Sequence, residues 1–446
     1  MEKTVTLTDL EKILEGSLSK EQADAVSESL FPGDLVLDVS SADLEKTPLA
    51  VRALGKESLS LAKKFTQTAI LLGFEPDDEL RSLVFSKNEA MRQSLAAPSP
   101  IAVSFEASGF PQFRSAVQEV VLGARKGDGG SRSETIVLGG ERTMPYFYDA
   151  EMKNRNVVTA DVFDMPVSLA KAVRSNYEDV MNDPAEWAKK VVNEFGADMV
   201  TIHLVSTDPA VSDTSAKEAA KTVENVLQAV DVPIVIGGSG NPSKDPQVLE
   251  KAAEAAEGER VLLASANLGM DYARIANAAK KHGHAVLSWT QMDINAQKEL
   301  NRKLIRQCGM NREDIIMDPT TAALGYGLDY AYSNMERIRM AGLSGDDELA
   351  FPMSSGTTNA WGAREAWMIA SPLEQDSDWG DRALRGPIWE TVTGLSLALA
   401  GNDLFMMMHP EAVRLLKNIM KTLQNKADFE KDTPEKEDAW LTAPFF

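Results

Sequence analysis

The sequence predicts an α/β protein: a closed (β/α)8 barrel, or TIM barrel, preceded by an N-terminal mixed, helix-rich extension. Short apolar stretches rich in β-branched residues alternate along the chain with longer stretches whose apolar residues recur at helical spacing. Polar residues and glycines collect directly after the apolar stretches, whereas the segments before them are ordinary turns. In a barrel of parallel strands this asymmetry places hydrogen-bonding groups at one end, so we expect a site at the carboxyl ends of the strands.

The stretch from Ile315 to Tyr330 shows the repeating unit most clearly. Its first residues are apolar and too few for a helix, and Pro319 cannot extend a strand, so the chain turns directly after Asp318. A loop that ends in Gly325-Tyr-Gly327 then leads into a helix. Asp318 is therefore predicted to face a pocket at the end of a strand. The alternative is that it only caps the following turn.

Eight strands are predicted from these patterns: Thr135–Leu138, Met199–Val205, Pro233–Ile236, Val261–Ala264, Ala285–Ser288, Ile315–Met317, Leu349–Met353 and Leu404–Met407. The connection between the first two is long and contains another apolar run, Val157–Phe163. We interpret this run as an added hairpin. The alternative is that it is a barrel strand and that the count is shifted by one. The helix from about Thr214 to Val230 is predicted to begin at a cap formed by Asp213 or Thr214.

The 446 residues are predicted to form three parts. Residues 1–100 are the extension, a possible docking domain, and a linker rich in proline and small residues follows at Ala96–Ile101. Residues 101–425 form the barrel. Residues 426–446 form an acidic tail with an apolar C-terminus that is expected to dock on the barrel or on a partner.

The composition excludes several classes of protein. A net charge of −21 argues against binding to nucleic acid, and no apolar run is long enough to span a membrane, so we expect a cytoplasmic protein. Cys308 is the only cysteine, which rules out an internal disulfide or an iron-sulfur cluster held by this chain alone. It lies on the apolar face of a predicted helix, where a buried, inert thiol is expected. The four histidines lack metal-binding spacing, so no metal site is predicted.

Three features near the predicted strand ends have two interpretations each. His203 alternates with apolar neighbours and should point into the lumen, where it binds a ligand or is held by a neighbouring carboxylate. Gly237–Asn241 has the small residues of a phosphate cradle but lacks the lysine of a P-loop. The long segment before the last strand either forms a lid over the barrel or packs onto it, and it contains four tryptophans: Trp361, Trp367, Trp379 and Trp389.

Collinear segments between about residues 115 and 420 resemble the small (delta) subunit of the corrinoid iron-sulfur protein, a component of the acetyl-CoA decarbonylase/synthase complex. The segments are Val120–Ala124, Gly129–Ser133, Met292–Asn295, Asp318–Pro319, Leu324–Gly327, Asn334–Arg339, Ala360–Ala366, Arg385–Glu390 and His409–Ala412. The N-terminal hundred residues resemble the longer, decarbonylase-type version of this subunit.

The resemblance implies a barrel that forms a heterodimer with a large (gamma) subunit, which carries the iron-sulfur cluster and most of the corrinoid-binding domain. The barrel caps the corrinoid while a methyl group passes between a tetrahydropterin and acetyl-CoA synthase, in a complex that also contains CO dehydrogenase. Such complexes serve anaerobic acetyl-CoA synthesis or cleavage. On this basis no catalytic residue is assigned, and the residues expected to contact the corrinoid are His203, Asn267, Thr290, Asp293, Asn295, Asp318, Thr321 and His409.

Two alternatives remain open. The barrel also resembles, more distantly, pterin-binding methyltransferases, in which an Asn and an Asp at strand ends hold the pterin, and Asn267 and Asp318 match those places. The chain would then bind the methyl-tetrahydropterin itself. Alternatively, the chain mainly scaffolds the complex, with its extension and its apolar tail as docking elements.

Overall fold

Eight parallel strands form a closed barrel in this computed structural model, which describes residues 113–146, 152–371 and 379–424. The barrel strands are β3 (Val157–Phe163), β4 (Met199–His203), β5 (Ile234–Gly237), β6 (Leu262–Ala266), β7 (Ala285–Trp289), β8 (Ile315–Asp318), β9 (Ser354–Ser355) and β10 (Leu404–Met407). Their spatial order is β8-β7-β6-β5-β4-β3-β10-β9, and a parallel bridge between Met317 and Met353 joins the two ends of this sheet. The predicted (β/α)8 fold is confirmed.

The first barrel strand differs from the prediction. The run Val157–Phe163 is strand β3 of the barrel, as the alternative interpretation held. The predicted first strand instead forms β2 (Ile136–Leu138), which pairs antiparallel with β1 (Val120–Leu122) outside the barrel. The assignment of Leu349–Met353 is also wrong, because β9 begins after that segment, although Met353 makes the bridge that closes the barrel.

The β1–β2 hairpin closes the amino end of the barrel. Its four buried side chains, Val120, Leu122, Ile136 and Leu138, pack in one apolar cluster with lumen residues from the strands. Those lumen residues are Val157, Met199, Val235, Leu262, Ala285, Leu287, Ile316, Leu404 and Met406. Because this end is filled, a ligand can approach the lumen from the carboxyl end.

A buried arginine fixes the hairpin connection to the barrel. The Arg132 guanidinium donates to the carbonyls of Leu227, Val230 and Val232. It also forms an ion pair with Glu259 at 2.7 Å, and its own side chain is 1% exposed. The charge of Arg132 is thus fully compensated, as burial of a guanidinium requires.

Ten helices surround the barrel or connect its strands in the described part of the chain. They are α1 (Lys171–Arg174), α2 (Pro184–Asn193), α3 (Ala216–Ala229), α4 (Asp245–Ala255), α5 (Tyr272–His282), α6 (Ile294–Arg306), α7 (Leu328–Leu343), α8 (Arg364–Trp367), α9 (Arg382–Leu399) and α10 (Pro410–Gln424).

The predicted cap of α3 was wrong by one or two residues. Ser215 caps it instead, because its hydroxyl and the Glu218 carboxylate form a reciprocal capping box.

The strands separate an apolar outer face from a lumen that becomes polar toward its carboxyl end. In β3, Val158, Ala160 and Val162 pack against the helices. The intervening Thr159 pairs with Thr201 of β4 at 2.8 Å. The next residue of that alternating set is Asp161, which is fully buried. The period of two thus brings a carboxylate into the lumen just below its mouth.

Cys308 is buried, as expected, and burial raises the pKa of its thiol. Within the described ranges, no helix is long and apolar enough to cross a membrane. The predicted extension, its linker and the acidic tail lie outside the described residues.

We predict that Arg132→Met destabilises the chain by about 3 kcal/mol, because three carbonyls and the Glu259 carboxylate lose their cation. Arg125→Met is the matched control, since Arg125 is exposed on the same connection and should change stability by less than about 0.5 kcal/mol. Urea unfolding measures both. Equal effects of the two substitutions would contradict the assigned role of Arg132.

Candidate functional site

The candidate site lies at the carboxyl end of the barrel. Strand register places His203 beside Phe163 and Asp318 beside Trp289. Each residue is the last of its strand and belongs to the lumen-facing set. These side chains surround the open end of the lumen, which we call the barrel mouth.

His203 is held by a carboxylate in the lumen. Its Nε2 lies 3.0 Å from Oδ1 of Asp161. The histidine side chain is 24% exposed and the aspartate is not exposed. Phe163 stacks on the imidazole with ring centroids 5.1 Å apart. The predicted lumen orientation and the predicted carboxylate neighbour are both observed.

Asp161 is a site residue that the sequence analysis missed. It lies in the run that was interpreted as a hairpin, so its partner on β4 was not recognised. A signal was nevertheless present, since Thr159 and Asp161 are polar residues spaced two apart within an otherwise apolar strand.

Asp318 has the capping role of the alternative interpretation. Its Oδ1 accepts a hydrogen bond from the Thr320 amide at 2.9 Å and so caps the turn after β8. The Thr320 hydroxyl donates to the Thr290 carbonyl of the neighbouring loop. Burial raises the pKa of Asp318 to about 7. Near neutral pH this carboxyl group can therefore donate as well as accept a hydrogen bond.

An open cleft of about 400 Å³ lies between the loops that follow β6 and β7. It is lined by Asn267, Leu268, Gly269, Trp289, Thr290, Gln291, Asp293 and Ala296. Oδ1 of Asn267 accepts the Gly269 amide at 2.8 Å, which fixes the side chain in the loop. The structure thus brings three of the predicted residues, Asn267, Thr290 and Asp293, to one cleft.

The predicted residues differ in how available they are to a ligand. Asp293 uses Oδ1 to cap α6, and Asn295 is exposed on the first turn of that helix. Thr321 is buried and bonds to the Ser355 hydroxyl at 2.8 Å. His409 is also buried, stacks on Trp361, and accepts the Glu411 amide through Nδ1. The His409 ring is therefore engaged by the barrel itself.

The predicted phosphate cradle at Gly237–Asn241 is filled by the protein. The amides of Ser239 and Gly240 donate to the two carboxylate oxygens of Asp245 at 2.9 and 2.8 Å. A methyl group on Gly238 would lie 2.4 Å from the carboxylate carbon of Asp245. The phosphate hypothesis is wrong, because a carboxylate six residues later occupies the donors of this loop.

Two of the four tryptophans pack the segment between β9 and β10 onto the barrel. Trp361 fits against Gly386 and donates from Nε1 to Glu390, while Trp389 donates to the Leu324 carbonyl. These contacts agree with the packing interpretation. Trp367, by contrast, is 46% exposed.

Glu390 was also missed by the sequence analysis. It is fully buried on α9 and accepts hydrogen bonds from the Met408 and His409 amides at 2.6 and 3.0 Å, besides the one from Trp361. Burial raises its pKa to about 7. One carboxylate therefore ties α9 and the tryptophan segment to the end of β10.

Large apolar side chains are exposed in the segments that follow β8 and β9. We call this group the apolar rim: Tyr326, Tyr330, Trp367, Ile369 and Leu384. Ile369 is 79% exposed and Tyr330 is 71% exposed. The Tyr326 hydroxyl bonds to Glu365, which connects the two segments. Residues of this size are rarely left in water together unless a partner covers them.

In the described ranges, no group of three or more histidine, cysteine or acidic side chains is arranged to hold a metal ion. The site consists of hydrogen-bonding and aromatic groups around a mouth.

Residues 119–371 match the sequence model of the CO dehydrogenase/acetyl-CoA synthase delta subunit, which is more than half of the chain. The chain belongs to this family. It is 57% identical to the acetyl-CoA decarbonylase/synthase complex subunit delta 1 of Methanosarcina thermophila, over 96% of the chain and 97% of that relative. It is 64% identical to the subunit delta of Archaeoglobus fulgidus, over 71% of the chain and 70% of that relative.

Among solved structures, dihydropteroate synthase from Thermus thermophilus is similar with a TM-score of 0.42 at 16% identity. The similarity covers 69% of this chain and all of that one.

The family match confirms the resemblance found in the sequence: the chain is a delta-type subunit of a multi-protein complex.

We predict that Glu390→Gln lowers stability by about 2 kcal/mol, because both carboxyl oxygens accept from the three N–H donors and a carboxamide NH2 cannot accept a hydrogen bond. The difference in stability between wild type and Glu390→Gln should become smaller as the pH rises from 5.5 to 8. The pKa of Glu390 is raised from 4.5 to about 7 on folding, so the folded wild type binds the extra proton and loses stability over this interval.

Thermal unfolding at both pH values, with the exposed Glu411→Gln as control, measures this difference. A gap between wild type and Glu390→Gln that stays constant or widens with pH would show that Glu390 is ionised throughout.

Proposed function

We propose that the barrel mouth of this delta-type subunit covers a corrinoid held mainly by a large (gamma) subunit. In this role the chain supports methyl transfer between a tetrahydropterin and acetyl-CoA synthase, and it supplies no catalytic acid or base. The observation that carries the proposal is the open cleft at the mouth, which combines polar side chains with the indole of Trp289. The family membership supports it, because the relatives are named as subunits of the acetyl-CoA decarbonylase/synthase complex.

The residues present fit the edge of a corrinoid. Such a ring is flat, and primary amides project from its rim. The Asn267 carboxamide and the Asp293 carboxyl group of the cleft are hydrogen-bonding partners for amides, and Trp289 with Leu268 offers an apolar surface beside them. The Asp318 carboxyl group, on the strand next to Trp289, is a further partner of this kind. When bound, the corrinoid supplies the cobalt that accepts and releases the methyl group.

The chain itself would exclude water. The amino end of the lumen is filled by apolar side chains and is closed by the β1–β2 hairpin, so solvent cannot reach the ring through the barrel. Asn267, Asp293 and Asp318 would orient the ring from its edge. His203 is the last residue of β4, and it is 24% exposed at the mouth, where it would face the ring.

The partner is proposed to dock on the apolar rim beside the mouth. A large subunit that brings the corrinoid to the cleft must cover neighbouring surface, and the exposed Ile369 and Trp367 provide it. The sequence contains one cysteine, so the iron-sulfur cluster of the complex is assigned to the partner. The acetyl-CoA synthase and CO dehydrogenase subunits are further proposed partners, in the cytoplasm.

A second candidate function is direct binding of a methyl-tetrahydropterin. Asn267 and Trp289 line one cleft, and Asp318 is the register partner of Trp289 on β8. This places an amide, a carboxyl group and a flat ring close together, as a pterin requires. Isolated chain that binds a reduced pterin would favour this candidate. The scaffold alternative concerns residues 1–100 and the tail, which lie beyond the described ranges.

We predict that cobalt and a corrinoid spectrum appear only when the chain is produced with its large-subunit partner and the pair co-elutes from size exclusion. Asn267→Ala in the pair should lower corrinoid affinity about fivefold, the effect of one lost hydrogen bond. Asn311→Ala, an exposed amide before β8 at the amino end, is the matched control. A co-eluting pair without corrinoid, or isolated chain that retains it, would overturn the proposal.

We also predict that Ile369→Asp weakens association with the large subunit at least about tenfold, because a charge enters the proposed apolar contact. Val121→Asp is the control: Val121 is 39% exposed on β1, at the closed end of the barrel. Titration by size exclusion measures association, and thermal unfolding of each isolated chain checks the fold. If both substitutions have the same effect, the apolar rim is not the docking surface.

A further inference from the structure

We infer that Asp161 is a positioning residue: it fixes the proton of His203 on Nε2, so that Nδ1 accepts a hydrogen bond from an N–H group of the ligand at the barrel mouth. This inference rests on the proposed function, and it adds the chemistry by which the barrel mouth recognises its ligand.

The first step is the direction of the hydrogen bond between the two side chains. Oδ1 of Asp161 lies 3.0 Å from Nε2 of His203, and Oδ2 is buried without a hydrogen-bond partner among the described residues. When the Asp161 carboxylate is ionised it only accepts hydrogen bonds, and the proton of this bond is then on Nε2. In a neutral imidazole the other nitrogen, Nδ1, then has a lone pair.

The second step is that the imidazole cannot turn away. Phe163 stacks on the ring with an angle of 23° between the planes. On the other side, a methyl group on Gly237 would lie 3.1 Å from Nδ1. Glycine at position 237 therefore leaves room for the imidazole. The stacked Phe163 ring and the Asp161 carboxylate hold the imidazole in this orientation.

The third step is that Nδ1 is available. No donor in the described part of the chain hydrogen-bonds to it, and the side chain is 24% exposed at the mouth. The other histidines differ: His282 and His284 precede β7 at the closed end of the barrel, and His409 is buried. His203 is the histidine that can meet a ligand from the carboxyl end.

The surroundings favour a neutral ligand that donates N–H groups. Carboxyl groups dominate the polar side chains around His203: Asp161 beneath it, Asp164 after β3, and Asp318 on the other side of the mouth. This set offers an anion no positively charged side chain. A primary amide or an amino group bonds to Nδ1 without bringing a negative charge. The side-chain amides of a corrinoid and the 2-amino group of a pterin share this chemistry.

The test compares the histidine tautomer with ligand binding. Nitrogen NMR of the full chain, labelled at histidine, should show His203 as the Nε2–H tautomer in the wild type and a shift toward Nδ1–H in Asp161→Asn. In the pair with the large subunit, Asp161→Asn should lower corrinoid affinity about tenfold. Asp314→Asn, a buried carboxylate before β8 at the closed end, is the matched control.

A second pair of variants separates an acceptor role from a packing role. Asparagine carries its carboxamide near the position of Nδ1, so His203→Asn should keep most of the affinity, whereas His203→Leu should lose it about tenfold. Equal losses in both variants, a doubly protonated or Nδ1–H imidazole in the wild type, or unchanged affinity in Asp161→Asn for both ligands would overturn the inference.

The same variants show whether the N–H group that Nδ1 of His203 accepts belongs to a corrinoid or to a pterin. If Asp161→Asn weakens reduced-pterin binding by the isolated chain and leaves corrinoid affinity unchanged, the inference holds with a pterin as the ligand. If the wild-type pair holds no corrinoid and the chain binds no pterin, the proposed function fails. The NMR result then decides by itself whether Asp161 positions the ring.

Discussion

The structure depends on one constraint: each barrel strand sends alternate side chains into a lumen that is open at a single end. At the amino end that set is apolar and packs with the β1–β2 hairpin, whereas at the carboxyl end it changes to Asp161, His203 and Asp318. The change occurs within single strands, since β3 begins at the buried Val157 and carries Asp161 four residues later. A ligand therefore meets polar groups only where the hairpin does not close the barrel.

The repeating pattern was readable from the sequence because strand and helix periods are local properties. Strands β4 to β8 and β10 were located within two residues, since each is a short apolar run followed by polar residues or glycine. The first barrel strand was not, because Ile136–Leu138 and Val157–Phe163 are both apolar runs whose partners lie far away in sequence. A hairpin strand and a barrel strand differ here in the strand with which each pairs. No local sequence pattern identifies that pairing strand.

The same distinction applies to the site. Asp318 was found because Pro319 marks the end of its strand, and His203 because it alternates with apolar neighbours. Asp161 and Glu390 were missed because the side chains that hydrogen-bond to these buried carboxyl groups come from other strands and segments. Such partners cannot be recognised from the neighbouring sequence. The glycine-rich loop was misinterpreted because the sequence does not show what its amides bind. In the fold they donate hydrogen bonds to Asp245.

Burial also gives the mouth a different charge from the one that the sequence suggests. The chain carries a net charge of −21, yet desolvation raises the pKa of Asp318 and of Glu390 to about 7 and also raises that of Asp164. Asp318, which ends β8 at the mouth, is therefore partly protonated near neutral pH, whereas Glu390 is fully buried and does not meet a ligand. The mouth can then donate and accept hydrogen bonds at once, which suits the amide edge of a neutral ring better than a cation. The proposed role of covering an amide-rimmed cofactor has this requirement, because a strongly anionic mouth would bind cations from solvent in its place.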